Sequence, residues 1–129
     1  MEITISTRSS VNDELEKVRA ELKQLGENYC AKVIQDKAYP GWKPDPNSAF
    51  LAVVQKAYEK VINTKVELLA IHAGLECGLF LALDPELQLA SIGPNIHNAH
   101  SPDEYVEITS VMTLWKVIKE IIGNMGTLK

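Results

Sequence analysis

Apolar and polar positions alternate at the start of the chain. Ile3 and Ile5 face one way and Glu2, Thr4 and Ser6 the other, the period of a half-buried strand over 2–7. Val11, Leu15, Val18, Leu22 and Leu25 then recur at spacings of four and three, which predicts a helix with one narrow apolar stripe. Ser9 or Ser10 is placed to cap it, Asp13 suits its positive end, and Gly26 suits its stop. Residues 29–36 (YCAKVIQD) read as a second strand, so residues 1–36 form a β-α-β unit with parallel strands and a right-handed crossover.

Residues 37–48 (KAYPGWKPDPNS) hold three prolines and a glycine without periodicity. They read as a domain boundary or as a rigid surface loop. Beyond them, Asn47 or Ser48 caps a helix carrying Phe50, Leu51, Val54, Ala57, Tyr58, Val61 and Ile62. A continuous apolar run, VELLAI (66–71), reads as a strand covered on both faces. GLECGLFLA (74–82) reads as a short apolar helix, LQLASI (87–92) as a strand, and 93–105 as loop. The last helix is expected from about Thr109 to Ile122, with Val111, Met112, Trp115, Ile118 and Ile122 on one face. Strands alternating with helices predict an α/β fold with a largely parallel sheet. Two strands alone make a poor sheet, so the first unit needs further strands from elsewhere.

Composition narrows the classes. The 129 residues are 46% apolar and 23% charged, ordinary globular usage. The net charge of -4 comes without a basic stripe, which argues against a nucleic-acid partner. No apolar run is long enough for a membrane span, and MEITISTRSS lacks the pattern of a signal peptide, so a cytoplasmic protein is expected. Cys30 and Cys77 form no C-x-x-C and read as buried thiols.

All three histidines follow strand-like runs: His72 after VELLAI, His97 and His100 after LQLASI. Ligands of parallel sheets bind beyond the carboxyl ends of strands, which makes His72 and His100 candidates; the plain alternative is a structural histidine. Glu76, Asp103 and Glu104 are nearby acids with ligand potential. Each also has a plain reading, as a helix-start carboxylate or as solvated turn charge. Arg8 ends a strand-like run beside two serines, where a guanidinium could clamp a carboxylate. G-x-S-x-G, G-x-G-x-x-G, the P-loop and H-E-x-x-H are all absent.

Taken in order, ITISTRSS, YPGWKPDPNS, IHAGLECGLF and IGPNIHNAHSPDEYVEI resemble the C-terminal part of bacterial aminoacyl-histidine dipeptidases. These Xaa-His, or beta-alanyl-histidine, dipeptidases are co-catalytic zinc peptidases related to carboxypeptidase G2 and peptidase T. The resemblance implies a catalytic α/β domain holding two zinc ions, interrupted by a lid domain. Residues 1–36 would be the last β-α-β of that lid, 37–48 the crossing, and 49–129 the C-terminal part of the catalytic domain. His100 in AHSPDE matches the last zinc ligand. Arg8 matches a lid arginine that holds the substrate's terminal carboxylate, and closure of the lid would bring the two into one site. His72, Gly74 and Glu76 in HAGLECG match a segment lining the substrate pocket. The family usually has Arg-Gly before Ala-His, whereas this chain reads His97-Asn98-Ala99-His100.

The other family ligands and the general base sit in an H-x-D motif, a bridging Asp and a Glu-Glu pair. Neither H-x-D nor Glu-Glu occurs here. The expectation is a fragment of a zinc dipeptidase, inactive alone. Its implied partners are a dipeptide, the missing N-terminal part of the enzyme and a second copy in a homo-oligomer. The competing reading is a non-catalytic α/β interaction domain whose histidines are structural.

Overall fold

The computed structural model describes residues 1–37, 39–69 and 76–128, and of Thr127 the backbone only. Among the described residues there are four helices, α1 (Asn12–Asn28), α2 (Ala49–Ile62), α3 (Glu76–Leu83) and α4 (Ile108–Asn124). Two short strands, β1 (Ile96–His97) and β2 (Tyr105–Val106), pair antiparallel. A 3₁₀ turn at Met125–Thr127 follows α4. This is a mixed helix-and-strand architecture compatible with part of an α/β protein. The chain divides into two compact units, Met1–Pro44 with Ala70–Leu87, and Asp45–Leu69 with Gln88–Lys129.

In the first unit, α1 starts from Val11, whose N–H donates to Ser9 Oγ at 3.1 Å. Its expected apolar stripe is only partly used. Leu15 is buried and Leu22 half-buried, while Val11, Val18 and Leu25 are exposed. The helix passes through Gly26 and ends at Asn28, where Cys30 at φ 56° takes the left-handed position that glycine was expected to fill. Gly26 has a different use. A Cβ there would lie 2.6 Å from Val33 Cγ2, so its bareness lets the returning chain close on the helix.

That returning segment, 29–36, is not a strand. Arg19 donates to the Asp36 carbonyl at 2.6 Å, and Gln35 Nε2 donates to the Arg19 carbonyl at 2.9 Å. These bonds lay the segment on α1 through side chains instead of a backbone ladder. Residues 2–7, 87–92 and the described part of 66–71 are likewise without ladder partners, so the expected parallel sheet does not form among the described residues. A strand needs a neighbour for its N–H and C=O groups, and no described segment supplies one. Alternation predicts which face a strand would bury, not whether a partner lies beside it.

Pro40 and Gly41 of the 37–48 stretch are pinned locally. The Gly41 N–H donates to Asn12 Oδ1 at 2.7 Å. A Cβ on Gly41 would lie 2.4 Å from the Ser9 carbonyl, and one on Gly78 of α3 would lie 2.5 Å from that of Pro40. Both glycines mark places where backbone meets backbone. Cys30 is exposed, against expectation, because it sits at the helix exit; Cys77 is half-buried, and burial raises its thiol above the ordinary value.

In the second unit, Ser48 caps α2, its hydroxyl accepting the Leu51 N–H at 3.2 Å. The same hydroxyl donates to Gln88 Oε1 at 2.8 Å, and that oxygen also accepts the Phe50 N–H at 2.9 Å. Val54 and Ala57 of α2 pack with Val117 and Ile121 of α4, and Phe50, Val53, Tyr58, Val61 and Ala90 close around them. The buried face of α4 is therefore not the expected one. Met112, Trp115 and Ile122 are exposed, while Val117 is fully buried. The helix is apolar on two adjacent stripes, and packing against α2 uses the one through 117 and 121. Lys60 and Glu120 join the two helices at their rim, 2.6 Å apart.

Candidate functional site

His100, the expected metal ligand, stands on a hairpin at the N-terminus of α4. In that hairpin Ile96 pairs with Val106 and His97 with Tyr105, and the His97 and Tyr105 rings stack at 4.8 Å with planes 16° apart. Cross-strand ring pairs of this kind hold short hairpins together. The sequence alone predicts loop here; Asn98, a turn former that tolerates the left-handed conformation, is the signal it carries for the hairpin.

The hairpin is pinned to α4 at its base. The Glu107 N–H donates to the Asn95 carbonyl at 3.0 Å, and the Asn95 N–H donates to Ser110 Oγ at 2.8 Å. The Glu107 carboxylate accepts from Thr109 Oγ1 at 2.7 Å and from Asn95 Nδ2 at 3.2 Å, and His97 Nε2 lies 3.9 Å from it. The Thr109 hydroxyl, then Asn95 and His97, hold the Glu107 carboxyl below the usual carboxylate range. Sequence reasoning missed Glu107 because its partners are contributed by two separate elements.

At the tip, residues 98–104 turn tightly. Asn98 (φ 54°) and His100 (φ 66°) both occupy the left-handed region. The Ser101 N–H donates to the Asn98 carbonyl and the Glu104 N–H to the Ser101 carbonyl, each at 3.1 Å. The Asp103 N–H donates to Ser101 Oγ at 3.2 Å. The His100 N–H donates to Glu104 Oε2 at 2.8 Å. His100 is exposed, on a backbone held at both ends of its turn.

The sequence pattern of "Peptidase family M20/M25/M40" matches residues 7–124, a stretch that includes this hairpin and nearly everything else. The chain belongs to that peptidase family. The M20 chain is 41% identical over 125 residues to the "Cytosol non-specific dipeptidase" of Escherichia coli (strain K12). That alignment covers 97% of this chain and 26% of the relative, so the chain spans about a quarter of the length of the curated protein it matches.

M20 peptidases are generally metal-dependent, usually on zinc. Among the described residues no three of His, Cys, Asp and Glu converge to hold a metal ion. A zinc site takes three or four protein ligands. Of the described histidines, His97 stacks on Tyr105 and His100 stands exposed on the turn; a single imidazole could fill one corner of such a site and not a whole one. Arg8 and Glu76 are both exposed in the other unit, Arg8 ahead of α1 and Glu76 in the first turn of α3. His72 and Gly74 lie outside the described residues. A cleft beside the hairpin is lined by Tyr58, Asn95, Glu107, Ser110 and Thr113, and His100 is not among its lining residues. No described helix is long and apolar enough to cross a membrane.

Proposed function

We propose that this chain is the C-terminal part of a cytoplasmic, oligomeric, two-zinc dipeptidase that cleaves Xaa-His dipeptides, and that His100 supplies one metal ligand. The observation that carries the reading is the exposed His100 imidazole, set on a braced left-handed turn in a chain of a peptidase family. The dipeptidase relative supports the reaction class. Residues 1–36 belong on this reading to a lid and 49–129 to the catalytic domain, with 37–48 crossing between them.

When bound, zinc polarises the peptide carbonyl and makes a water acidic enough to attack it near neutral pH. His100 would hold its ion through one ring nitrogen. Arg8 would take the carboxylate of the C-terminal histidine with its planar fork, a geometry suited to bidentate recognition. His72, Gly74 and Glu76 would line the pocket. With His100 as its one proposed ligand, and with neither H-x-D nor Glu-Glu in its sequence, the isolated chain should not turn over.

Grafting this chain in place of the aligned stretch of the E. coli dipeptidase tests the reading. The zinc-loaded chimera should cleave carnosine and Gly-His, and prefer them to Gly-Leu, while the 129-residue chain alone cleaves none. A folded, zinc-loaded chimera without dipeptidase activity contradicts the reaction. Equal rates on Gly-His and Gly-Leu contradict the Xaa-His preference.

A further inference from the structure

We infer that Glu104 is a positioning residue for His100: its carboxylate fixes the backbone from which the ligand imidazole projects. The inference rests on the proposed metal role of His100. Glu104 Oε2 accepts the His100 N–H at 2.8 Å, a charge-assisted bond. His100 stands at φ 66°, where a residue with a side chain rarely settles unless its surroundings hold it. At a given φ the directions of the N–H and of the Cα–Cβ bond are locked together. A carboxylate that captures the N–H therefore also fixes the direction in which the His100 side chain leaves the backbone.

Glu104 is itself anchored. Its N–H donates to the Ser101 carbonyl at 3.1 Å, and Asn98 Nδ2 reaches the neighbouring Asp103 carbonyl at 3.4 Å. The side chain of Glu104 grips one end of the turn while its backbone grips the middle. The two residues are four apart in AHSPDE, so a motif spacing that reads as two separate candidate ligands is, in the fold, one ligand candidate and its brace. Groups that orient a metal's ligands typically matter 10–100-fold in metal affinity.

Three variants test this: E104A, E104Q and H100A. Hydrogen exchange at the His100 amide is read in the labelled 129-residue chain, and zinc affinity by chelator competition in the chimera. E104A should speed the amide exchange about tenfold or more and weaken zinc roughly 10–100-fold. E104Q keeps an oxygen that can accept the N–H, and should stay within a few-fold of the parent in both. Unchanged amide exchange in E104A overturns the inference. So does unchanged zinc affinity in E104A when H100A loses zinc. Equal zinc loss in E104Q and E104A also overturns it, because it marks the carboxylate as a ligand. H100A holding zinc as tightly as the parent refutes the ligand reading itself, a result distinct from the other three.

Discussion

Ser110 Oγ accepts the Asn95 N–H at 2.8 Å and at the same time donates to the Glu107 carbonyl at 2.6 Å. One hydroxyl thus joins the entry of the hairpin to the first turn of α4. The helix has no side-chain cap from Glu107, and this bond takes its place in tying the chain down ahead of the helix.

Replacing Ser110 by Ala should therefore cost about 1 kcal/mol of stability. The loss should be local as well as global, with faster amide exchange at Asn95. Equal exchange at Asn95 in S110A and the parent chain, measured by NMR, would contradict the pin.

Burial on α4 makes a second prediction. V117A should destabilise by about 2 kcal/mol, because Val117 is fully enclosed between α2 and α4. M112A, on the expected but exposed stripe, should stay within about 0.5 kcal/mol of the parent in denaturant unfolding. The reverse order would mean that α4 packs through the other stripe.

Glycine substitutions should split by sign. A Cβ on Gly123, inside α4, meets nothing within 4 Å, so G123A should stabilise by about 1 kcal/mol. On Gly78 the same Cβ would meet the Pro40 carbonyl at 2.5 Å, so G78A should destabilise. Thermal unfolding of the two variants reads the difference, and a stabilising G78A would contradict the close approach of α3 to Pro40.

The Lys60 ammonium, with help from Asn124, lowers the Glu120 carboxyl below its ordinary value, and Glu107 is lowered in the same direction. A depressed folded value means the unfolded chain binds the proton more readily. The stabilisation is complete above the ordinary carboxylate value, about 4.3, and is lost as pH falls toward the folded value. Denaturant titrations across that window should show stability falling with acid, with a shallower fall in E120Q. An identical acid slope in E120Q would show that the α2–α4 rim pair contributes nothing to it.

What could be read from the residues was local chemistry. The Ser48 cap is legible because its partner, the Leu51 N–H, lies three residues away. The span of α4 is legible from its period. The segments 2–7, 29–36 and 87–92 have no ladder among the described residues, and a ladder depends on neighbours that alternation does not reveal. The exit of α1 lies beyond Gly26, because Cys30 and not Gly26 adopts the left-handed conformation. At the candidate site, AHSPDE singled out His100 from resemblance. The stacking of His97 on Tyr105 and the grip of Glu104 on the His100 N–H required the hairpin to be folded first.

Zinc content offers the most direct check on the central claim that the position-100 side chain binds metal. The dialysed chimera and its H100A variant, matched in circular dichroism, would be compared by elemental analysis. The account predicts about two zinc ions per chain in the parent, and loss of at least one in H100A together with its dipeptidase activity. Full zinc occupancy and unchanged turnover in H100A would contradict it.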